Sequence, residues 1–374
     1  MRIAYIINHL GPSGVNQVVA DLVSVFTAHG HECVVYYLRE SDTPMGYACN
    51  TVYLRTVTDI VGTFDVVHAH GLGPMLYVAR HKHDLAKRNG EQCRPLFITT
   101  LHCYCFQDLP SLYGWIKGGL MAFAYLWSTL WQDRVVCLSK DMMNYYSRWI
   151  KRSKLRYVYN TRILPSQKDI TYDADDLKLV ENLKVWHETG YHVIGMNGVL
   201  IYRKGVDLML LALKQLNQSK DQYRLVLVGD GKDEEDFVML CDSLGLRGQV
   251  LFAGHRRDAY RFLPYYDVLA MPSLSEGFPL SLLEAAAYGA RVVISDLPIV
   301  KECFIEKARF PFCVNSAVSV FELSSNQNDN VKKIAQAVSK AIADVNAGSR
   351  IRSLFLEKFA PEMFYEKYKI TIQK

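Results

Sequence analysis

Short apolar, β-branched runs alternate with helical periodicity along the first part of the chain. Ile3–Ile7 is the first such run, and apolar residues then recur at helical spacing from Val15 to Phe26. Strands that alternate with helices are typical of parallel βαβ units, so the pattern predicts an open, doubly wound sheet. The further predicted strands of this segment are Cys33–Tyr37, Asp65–His68, Leu96–Thr100 and Arg134–Leu138.

The same alternation starts again after a polar, proline-containing stretch at residues 161–176, which we interpret as an interdomain linker. The chain therefore predicts an α/β protein of two Rossmann-like, doubly wound domains, residues 1–165 and 166–359. A ligand is expected between the carboxyl ends of their strands. The predicted strands of the second domain are Val193–Met196, Arg224–Val228, Val250–Ala253, Val268–Met271 and Val292–Ser295, and its helices are Val206–Leu216, Asp233–Ser243 and Leu280–Tyr288.

Length and composition agree with two globular domains. The chain has 374 residues, of which 50% are apolar and 22% charged, which excludes a small disulfide scaffold and wholesale disorder. Its nine cysteines are odd in number and form no paired CxxC framework. The first apolar run is too short for the hydrophobic region of a signal peptide. We therefore expect a cytoplasmic protein.

The net charge of +5 is unevenly spread, since the first 165 residues carry +6 and the remainder −1. This asymmetry predicts that the first domain meets something anionic. A phosphorylated acceptor, a membrane surface and nucleic acid all fit that description, and charge alone does not choose among them.

Two loops have the composition of anion sites. Gly11-Pro12-Ser13-Gly14 follows the first strand and opens a helix, so backbone N–H groups there could approach an anion closely, although a plain tight turn fits equally well. In the second loop Gly277 permits close approach and Pro279 suits a first helical position.

Glu276 and Glu284 flank that second helix start, and both could face one ligand. Carboxylates beside a phosphate site can accept hydrogen bonds from sugar hydroxyls, as an acidic residue does for ribose in dinucleotide folds. The alternative is that Glu276 caps the helix and Glu284 is a solvated surface residue.

At these residues the chain resembles a known family, the retaining glycosyltransferases of family 4, which have the GT-B architecture. The stretch SEGFPLSLLEA carries the Glu-x7-Glu spacing and is followed by Ala287-Tyr288-Gly289 and an apolar run ending at Asp296. The other segments that agree, in order, are GPSGVNQVVADLV, DVVHAHG, TTLH, LSK, VYN, RKGVD, LVGDG and FAG.

The resemblance implies transfer of a hexose or N-acetylhexosamine from a nucleotide-diphosphate sugar to a surface-glycan acceptor, with no cofactor, metal or nucleic acid. It places Glu284 at the ribose and Glu276 at the sugar hydroxyls, with Arg203 and Lys204 at the diphosphate. A fixed cation pair also has a chemical reason there, because negative charge builds on the leaving diphosphate. The remaining implied donor contacts are Gly14, Gly198, Gly231, Gly277, Phe278, Pro279 and Leu280.

His102 ends a predicted strand, and its counterpart in the family lies near the anomeric carbon. The resemblance implies that its ring or backbone carbonyl positions the sugar and stabilises oxocarbenium-like charge, with no protein nucleophile. The resemblance also gives Asn160 a hinge role and packs a final helix, residues 360–374, back on the first domain. A metal site is not predicted, because no spacing among His68, His70, His102, Cys103 and Cys105 matches a closed zinc pattern.

Residues 109–132 carry a single charge, Lys117, and several tryptophans and tyrosines. Since this segment lies inside the first domain, it predicts an interfacial helix rather than a membrane crossing. A buried helix or a dimer contact is the alternative. The basic cluster 148–162 follows with no acidic residue, and anionic headgroups would attract it, so we expect a peripheral contact with the inner face of the membrane.

Two other functions remain open from the sequence. A nucleotide-sugar epimerase of the same architecture needs acid and base groups around the sugar that the sequence does not identify. A non-catalytic glycan- or lipid-binding protein could keep the fold, but the presence of Arg203, Lys204, Glu276 and Glu284 argues against decay of the site. A dehydrogenase is disfavoured, since no predicted strand is followed by the dinucleotide glycine pattern.

Overall fold

The computed structural model describes residues 1–88, 94–218, 220, 222–305 and 317–373. The chain forms two compact units, one of Met1–Ile163 with Phe359–Lys374 and the other of Leu164–Lys358. Each unit is an α/β layer structure built on one parallel sheet, which confirms the predicted fold class.

The first unit has a seven-stranded sheet in the order β3-β2-β1-β4-β5-β6-β7. Its central strands are buried on both faces, as expected for a parallel sheet covered by helices. The strands are β1 Arg2–His9, β2 Glu32–Arg39, β3 Asn50–Tyr53, β4 Val66–His70, β5 Leu96–Leu101, β6 Arg134–Cys137 and β7 Leu155–Tyr157, and the first helices are α1 Gly14–Ala28, α2 Leu72–Arg88, α3 Cys105–Tyr113, α4 Trp115–Ser128 and α5 Lys140–Tyr146.

The second unit has a six-stranded parallel sheet in the order β10-β9-β8-β11-β12-β13. Leu213, Leu225 and Leu227 are among the fully buried side chains of its core. The strands are β8 His192–Asn197, β9 Tyr223–Val228, β10 Val250–Gly254, β11 Val268–Met271, β12 Val292–Ser295 and β13 Ser319–Phe321, and the helices are α6 Ala174–Glu188, α7 Val206–Leu216, α8 Glu234–Ser243, α9 Leu280–Tyr288, α10 Pro298–Cys303, α11 Gln327–Ala343 and α12 Ala347–Lys358.

The last helix, α13 Pro361–Ile372, belongs to the first unit. Its Tyr365 ring meets Phe26 of α1 edge-on, with 5.5 Å between ring centroids. The hydroxyl of Tyr368 lies 3.0 Å from Thr100 Oγ1 at the end of β5. The end of the chain therefore packs against the sheet that its beginning forms.

The interpretation of residues 161–176 as a linker is too broad at both ends. Thr161 and Arg162 are buried in the first unit, where Arg162 Nη1 is 2.6 Å from the Asp21 carboxylate. Asp173 caps α6, and Asp176 in its first turn is fully buried and pairs with Arg261 at 2.8 Å. Short-range polarity suggested a loop, but these polar groups have buried partners that the local sequence does not show.

Candidate functional site

In each sheet the strand order reverses beside the first strand, between β1 and β4 in the first unit and between β8 and β11 in the second. At such a switch point the two adjacent connections leave in opposite directions and open a crevice at the carboxyl ends of the strands. In the second unit this crevice holds a small cavity whose lining includes Gly198, Lys204, Ser273 and Ser281. Of the predicted donor residues of this unit, Gly198 and Lys204 line this cavity.

Gly205 holds the loop after β8 against the exit of β11. Its φ is +71°, and a Cβ there would lie 2.1 Å from the carbonyl oxygen of Pro272. No other residue type could replace it without moving one of the two loops. The backbone N–H of Leu274 also donates to the Arg203 carbonyl at 2.8 Å, so the two loops form one unit.

The contact between these two loops brings Arg203 and Lys204 close to Glu276, which is 72 residues away from Lys204 in the sequence. The Lys204 ammonium donates directly to Glu276 Oε1, and Arg203 Nη1 lies 3.8 Å from Glu276 Oε2. Arg203 also donates to the carbonyl of Ser275. Glu276 is only 8% exposed, so its charge is balanced inside the protein by the two cations.

Burial alone would raise the pKa of Glu276, but the charges of Lys204 and Arg203 outweigh it and hold this pKa below its usual value. The carboxylate therefore stays ionised and acts as a hydrogen-bond acceptor. Among the described residues, the buried Arg203 Nε has no hydrogen-bond partner. One guanidinium donor thus stays unsatisfied inside this part of the protein.

Helix α9 begins at Leu280, as the sequence predicts, but Pro279 precedes it instead of being its first helical residue. Pro279 is its N-cap, with φ −70° and an extended ψ of 123°, and makes no side-chain cap hydrogen bond. Gly277 and Phe278 are buried beside this helix start. The capping alternative for Glu276 is wrong, since its carboxylate pairs with Lys204 instead. Glu284 is half-buried on the second turn of α9.

The other glycines predicted at the donor site belong to two different units. Gly198 follows β8, and Gly231 packs its backbone on the next loop, where a Cβ would lie 2.2 Å from the Leu200 carbonyl oxygen. Gly14 is in the first unit, as the first residue of α1, and the preceding Ser13 Oγ accepts the N–H of Asn16 at 3.1 Å. A ligand role for each remains a prediction.

His102 lies directly after β5, at the carboxyl edge of the first sheet. Its ring Nε2 is 3.1 Å from Nδ1 of His70, the last residue of β4. Its backbone N–H donates to the hydroxyl of Tyr125 on α4 at 3.3 Å. The sequence analysis missed both contacts. The parallel register of β4 with β5, which pairs His70 with Thr100, could have indicated the first.

No group of three or more histidine, cysteine or acidic side chains is arranged to hold a metal ion among the described residues. At the carboxyl edge of the first sheet His70 is hydrogen-bonded to His102, and His68 is hydrogen-bonded to Thr100. Asn160, the predicted hinge residue, is buried beside Thr161, whose hydroxyl donates to the Phe359 carbonyl at 2.6 Å. Its hinge role stays a prediction.

A larger cavity of about 500 Å³ lies at the opposite edge of the second sheet. It is lined by Asp267 and Arg291, which precede β11 and β12, and by residues of α12. None of the predicted site residues lines it, and it lies away from the switch point. Size alone therefore does not identify the functional crevice of this unit.

The segment 109–132 is not one continuous helix. It divides at Gly114 into α3 and α4, and within the described ranges no helix is long and apolar enough to cross a membrane. The outer face of α4 is nevertheless its more apolar face, which contradicts the buried-helix alternative. Its exposed side chains include Trp115, Ile116, Leu120, Phe123 and Trp127, whereas its buried ones are Gly118, Ala122, Tyr125 and Ser128.

The predicted basic cluster 148–162 contains cations that have partners within the protein and cations that are exposed to solvent. Arg162 is buried with Asp21, and Lys154 donates to the carbonyls of Leu130 and Gln132, so neither is a free surface charge. Three cations that lie next to Trp149 in the sequence stay exposed, namely Arg148, Lys151 and Arg152. The cluster that can face an anionic surface is therefore smaller than the sequence suggests.

We expect Glu276 to make the stability of the second unit sensitive to acid. Its pKa is lower in the folded protein than the unfolded value of about 4.3, so it contributes stability that is present above that pH and lost as the pH falls through the folded pKa. Glu276→Gln should weaken the loss of stability between about pH 5 and pH 3. Urea unfolding across this range measures it, with exposed Glu181→Gln as the control; equal acid dependence in both variants would contradict the prediction.

Comparisons with known proteins agree with this geometry. The family model for glycosyl transferases group 1 matches residues 182–352, and the model for glycosyltransferase family 4 matches residues 12–161. The chain is 30% identical over 322 residues to the O-antigen biosynthesis glycosyltransferase WclY of Escherichia coli, a match covering 81% of this chain and 82% of WclY.

Two solved structures have the same fold. Anabaena Alr3699/HepE in complex with UDP-glucose has a TM-score of 0.72 at 18% identity and covers 100% of this chain and 99% of its own. WaaG, a glycosyltransferase involved in lipopolysaccharide biosynthesis, has a TM-score of 0.69 at 15% identity, with 98% of both chains covered. The architecture is thus that of the GT-B glycosyltransferases. The chain belongs to the glycosyltransferase family that WclY and the two family models represent.

Proposed function

We propose that this glycosyltransferase moves a hexose or N-acetylhexosamine from a nucleotide-diphosphate sugar to a surface-glycan acceptor, with retention of anomeric configuration. The observation that carries the proposal is the Arg203–Lys204 pair, held against buried Glu276 at the switch point of the second sheet. The name of WclY supports an O-antigen or related lipopolysaccharide acceptor, and the ligand of HepE supports a uridine-diphosphate donor.

The chemistry asks for cations at this place. The bond between the anomeric carbon and the diphosphate oxygen breaks, a bond to the acceptor hydroxyl oxygen forms, and the acceptor proton passes to the departing phosphate. Negative charge therefore develops on the diphosphate in the transition state, where Arg203 and Lys204 stabilise it without reorganising. The ionised Glu276 accepts hydrogen bonds from sugar hydroxyls, and Glu284 holds the ribose. We propose that this transfer needs no metal ion.

Thermal unfolding with a panel of nucleotide-sugars tests the donor site. A bound donor at 100 times its Kd should stabilise the protein by about 2.7 kcal/mol, and Glu284→Gln should reduce this shift through weaker binding. Product analysis of the same mixtures, with and without EDTA, then tests the reaction. The absence of a thermal shift with every donor would contradict the proposed donor site. A transfer that EDTA abolishes would contradict the proposal that no metal ion is needed. A free epimerised donor formed without acceptor would favour the epimerase.

We also propose that the outer face of α4 docks on anionic lipid at the cytoplasmic leaflet. Trp115 and Ile116 are 87% and 84% exposed. A surface helix usually buries its large apolar side chains, whereas α4 exposes them and buries small and polar ones. Tryptophan favours the headgroup boundary. Exposing an apolar face of this kind to water costs free energy, and contact with lipid removes that cost.

The apolar face continues to the exposed cations. The ring of Phe123 lies 5.3 Å from that of Phe106, which lies 5.3 Å from that of Trp149. Arg148, Lys151 and Arg152 are exposed and lie next to Trp149 in the sequence, and each adds roughly 1 kcal/mol of attraction to an anionic surface. In a two-fold dimer the same cations would oppose their own copies, so charge favours lipid over a second chain. Since Tyr125 of α4 holds the backbone of His102, docking would bring a lipid-linked acceptor close to that residue.

A further inference from the structure

Three histidines meet where β4 and β5 end. His68 and His70 are both buried, and their ring centroids are 4.2 Å apart. They have different partners, because His68 Nε2 lies 2.9 Å from Thr100 Oγ1, whereas His70 Nδ1 lies 3.1 Å from His102 Nε2. Of the two, only His70 hydrogen-bonds the ring to which the resemblance gives a role in transfer.

All three rings are neutral near pH 7. Burial lowers the pKa of His68 to about 3 and that of His102 to about 4, and it lowers the pKa of His70 well below its usual value. A neutral imidazole has one donor nitrogen and one acceptor nitrogen. A single proton therefore lies between His70 Nδ1 and His102 Nε2, and the tautomers of the two rings are coupled.

This hydrogen bond has two possible arrangements. In the first, His102 Nε2–H donates to His70 Nδ1, and in the second, His70 Nδ1–H donates to His102 Nε2. In both arrangements the buried Nε2 of His70 lacks a partner among the described residues, as an N–H donor in the first and as an acceptor in the second, so neither avoids an unsatisfied buried nitrogen. The Nε2–H form is the more stable tautomer of a neutral histidine side chain. Both rings adopt it only when His102 donates and His70 accepts.

We infer that His70 is a positioning residue, whose Nδ1 accepts the Nε2–H of His102 and leaves Nδ1 of His102 as the ring atom that can face a substrate. A lone pair fixed toward the transferred sugar would stabilise the positive charge that develops at its anomeric carbon. This consequence for transfer rests on the proposed function. The hydrogen bond and the tautomer belong to the first unit alone and can be measured without any substrate.

Nuclear magnetic resonance of the full chain with isotope-labelled histidine reads the tautomer directly, with His102→Gln used to assign the signal. The wild type should show Nε2–H at His102. His70→Asn places an acceptor oxygen where Nδ1 was and should keep this tautomer, whereas His70→Leu should leave a mixture. His68→Gln, which can still reach Thr100, is the matched control and should change nothing at His102.

Donor hydrolysis gives the functional reading. His70→Leu should lower kcat by about 10- to 100-fold with little change in KM, and His70→Asn should recover most of it. An Nδ1–H tautomer at His102 in the wild type, or a tautomer and kcat that His70→Leu leaves unchanged, would overturn the inference. If the tautomer follows His70 as expected but no sugar nucleotide is turned over, the proposed function fails and the positioning of His102 by His70 stands.

Discussion

Lys204→Ala should lower the turnover of the sugar nucleotide by about 100- to 1000-fold, the usual cost of losing one fixed group that stabilises transition-state charge. Lys204 lies against Glu276 at the crevice, so its ammonium is held in place before the donor arrives. Because the charge on the diphosphate grows as the glycosidic bond breaks, the loss should fall mainly on kcat rather than KM. Steady-state kinetics with the best donor of the panel measures the split.

A structural effect must be separated from this catalytic one. Lys204→Ala leaves the buried Glu276 carboxylate with Arg203 as its remaining cation, at 3.8 Å, which should destabilise the protein by about 3 kcal/mol. The double variant Lys204→Met, Glu276→Gln removes both charges and should recover most of that stability, but not the turnover. Lys214→Ala, at an exposed position on α7, is the matched control. Recovery of turnover together with stability would show that Lys204 only supports the fold.

Leu120→Ser with Phe123→Ser should weaken binding to anionic vesicles by about 100-fold, because two large side chains that leave water on docking contribute about 3 kcal/mol or more. Both side chains are already exposed in the folded chain, at 68% and 65%. Thermal stability should therefore change by no more than about 0.5 kcal/mol. Co-sedimentation with phosphatidylglycerol vesicles at low salt measures the binding.

The matched control is a pair of exposed apolar residues on the second unit, Val238→Ser with Met239→Ser on α8. This pair should leave vesicle binding unchanged. Equal binding by both double variants, or no binding by the wild type, would rule out the docking surface on α4. A wild type that instead forms a dimer broken by the α4 substitutions would assign the same face to a second copy of the chain.

The hydrophobic pattern was sufficient to predict the elements at the centre of each sheet. In a parallel sheet covered on both faces, central strands are continuous apolar runs, so β8, β9 and β11 are visible in the sequence. The strands it did not predict, β3, β7 and β13, lie at sheet edges and are only three or four residues long. Their pairing depends on a neighbouring strand distant in sequence, which local periodicity does not report.

The surface chemistry was harder to predict than the strands. Arg162 and Lys154 look like members of a solvated basic run, but each has partners that only the fold brings to it. For α4, by contrast, the sequence predicted an apolar, tryptophan-rich helix, and the structure shows which of its side chains face outward. A residue's type determines what it can bind, whereas its neighbours determine whether that capacity is already used.

By itself, the sequence determined the two doubly wound domains, the resemblance to a glycosyltransferase family and the residue types of the predicted donor site. Only the tertiary structure decided that Arg203 and Lys204 share one buried carboxylate and that His102 is bonded to His70. The physical reason is that periodicity reports burial within an element, whereas a charge pair or a shared proton depends on atoms of distant segments that lie within a few ångströms. Those distances are fixed by strand order and by the backbone approach at Gly205.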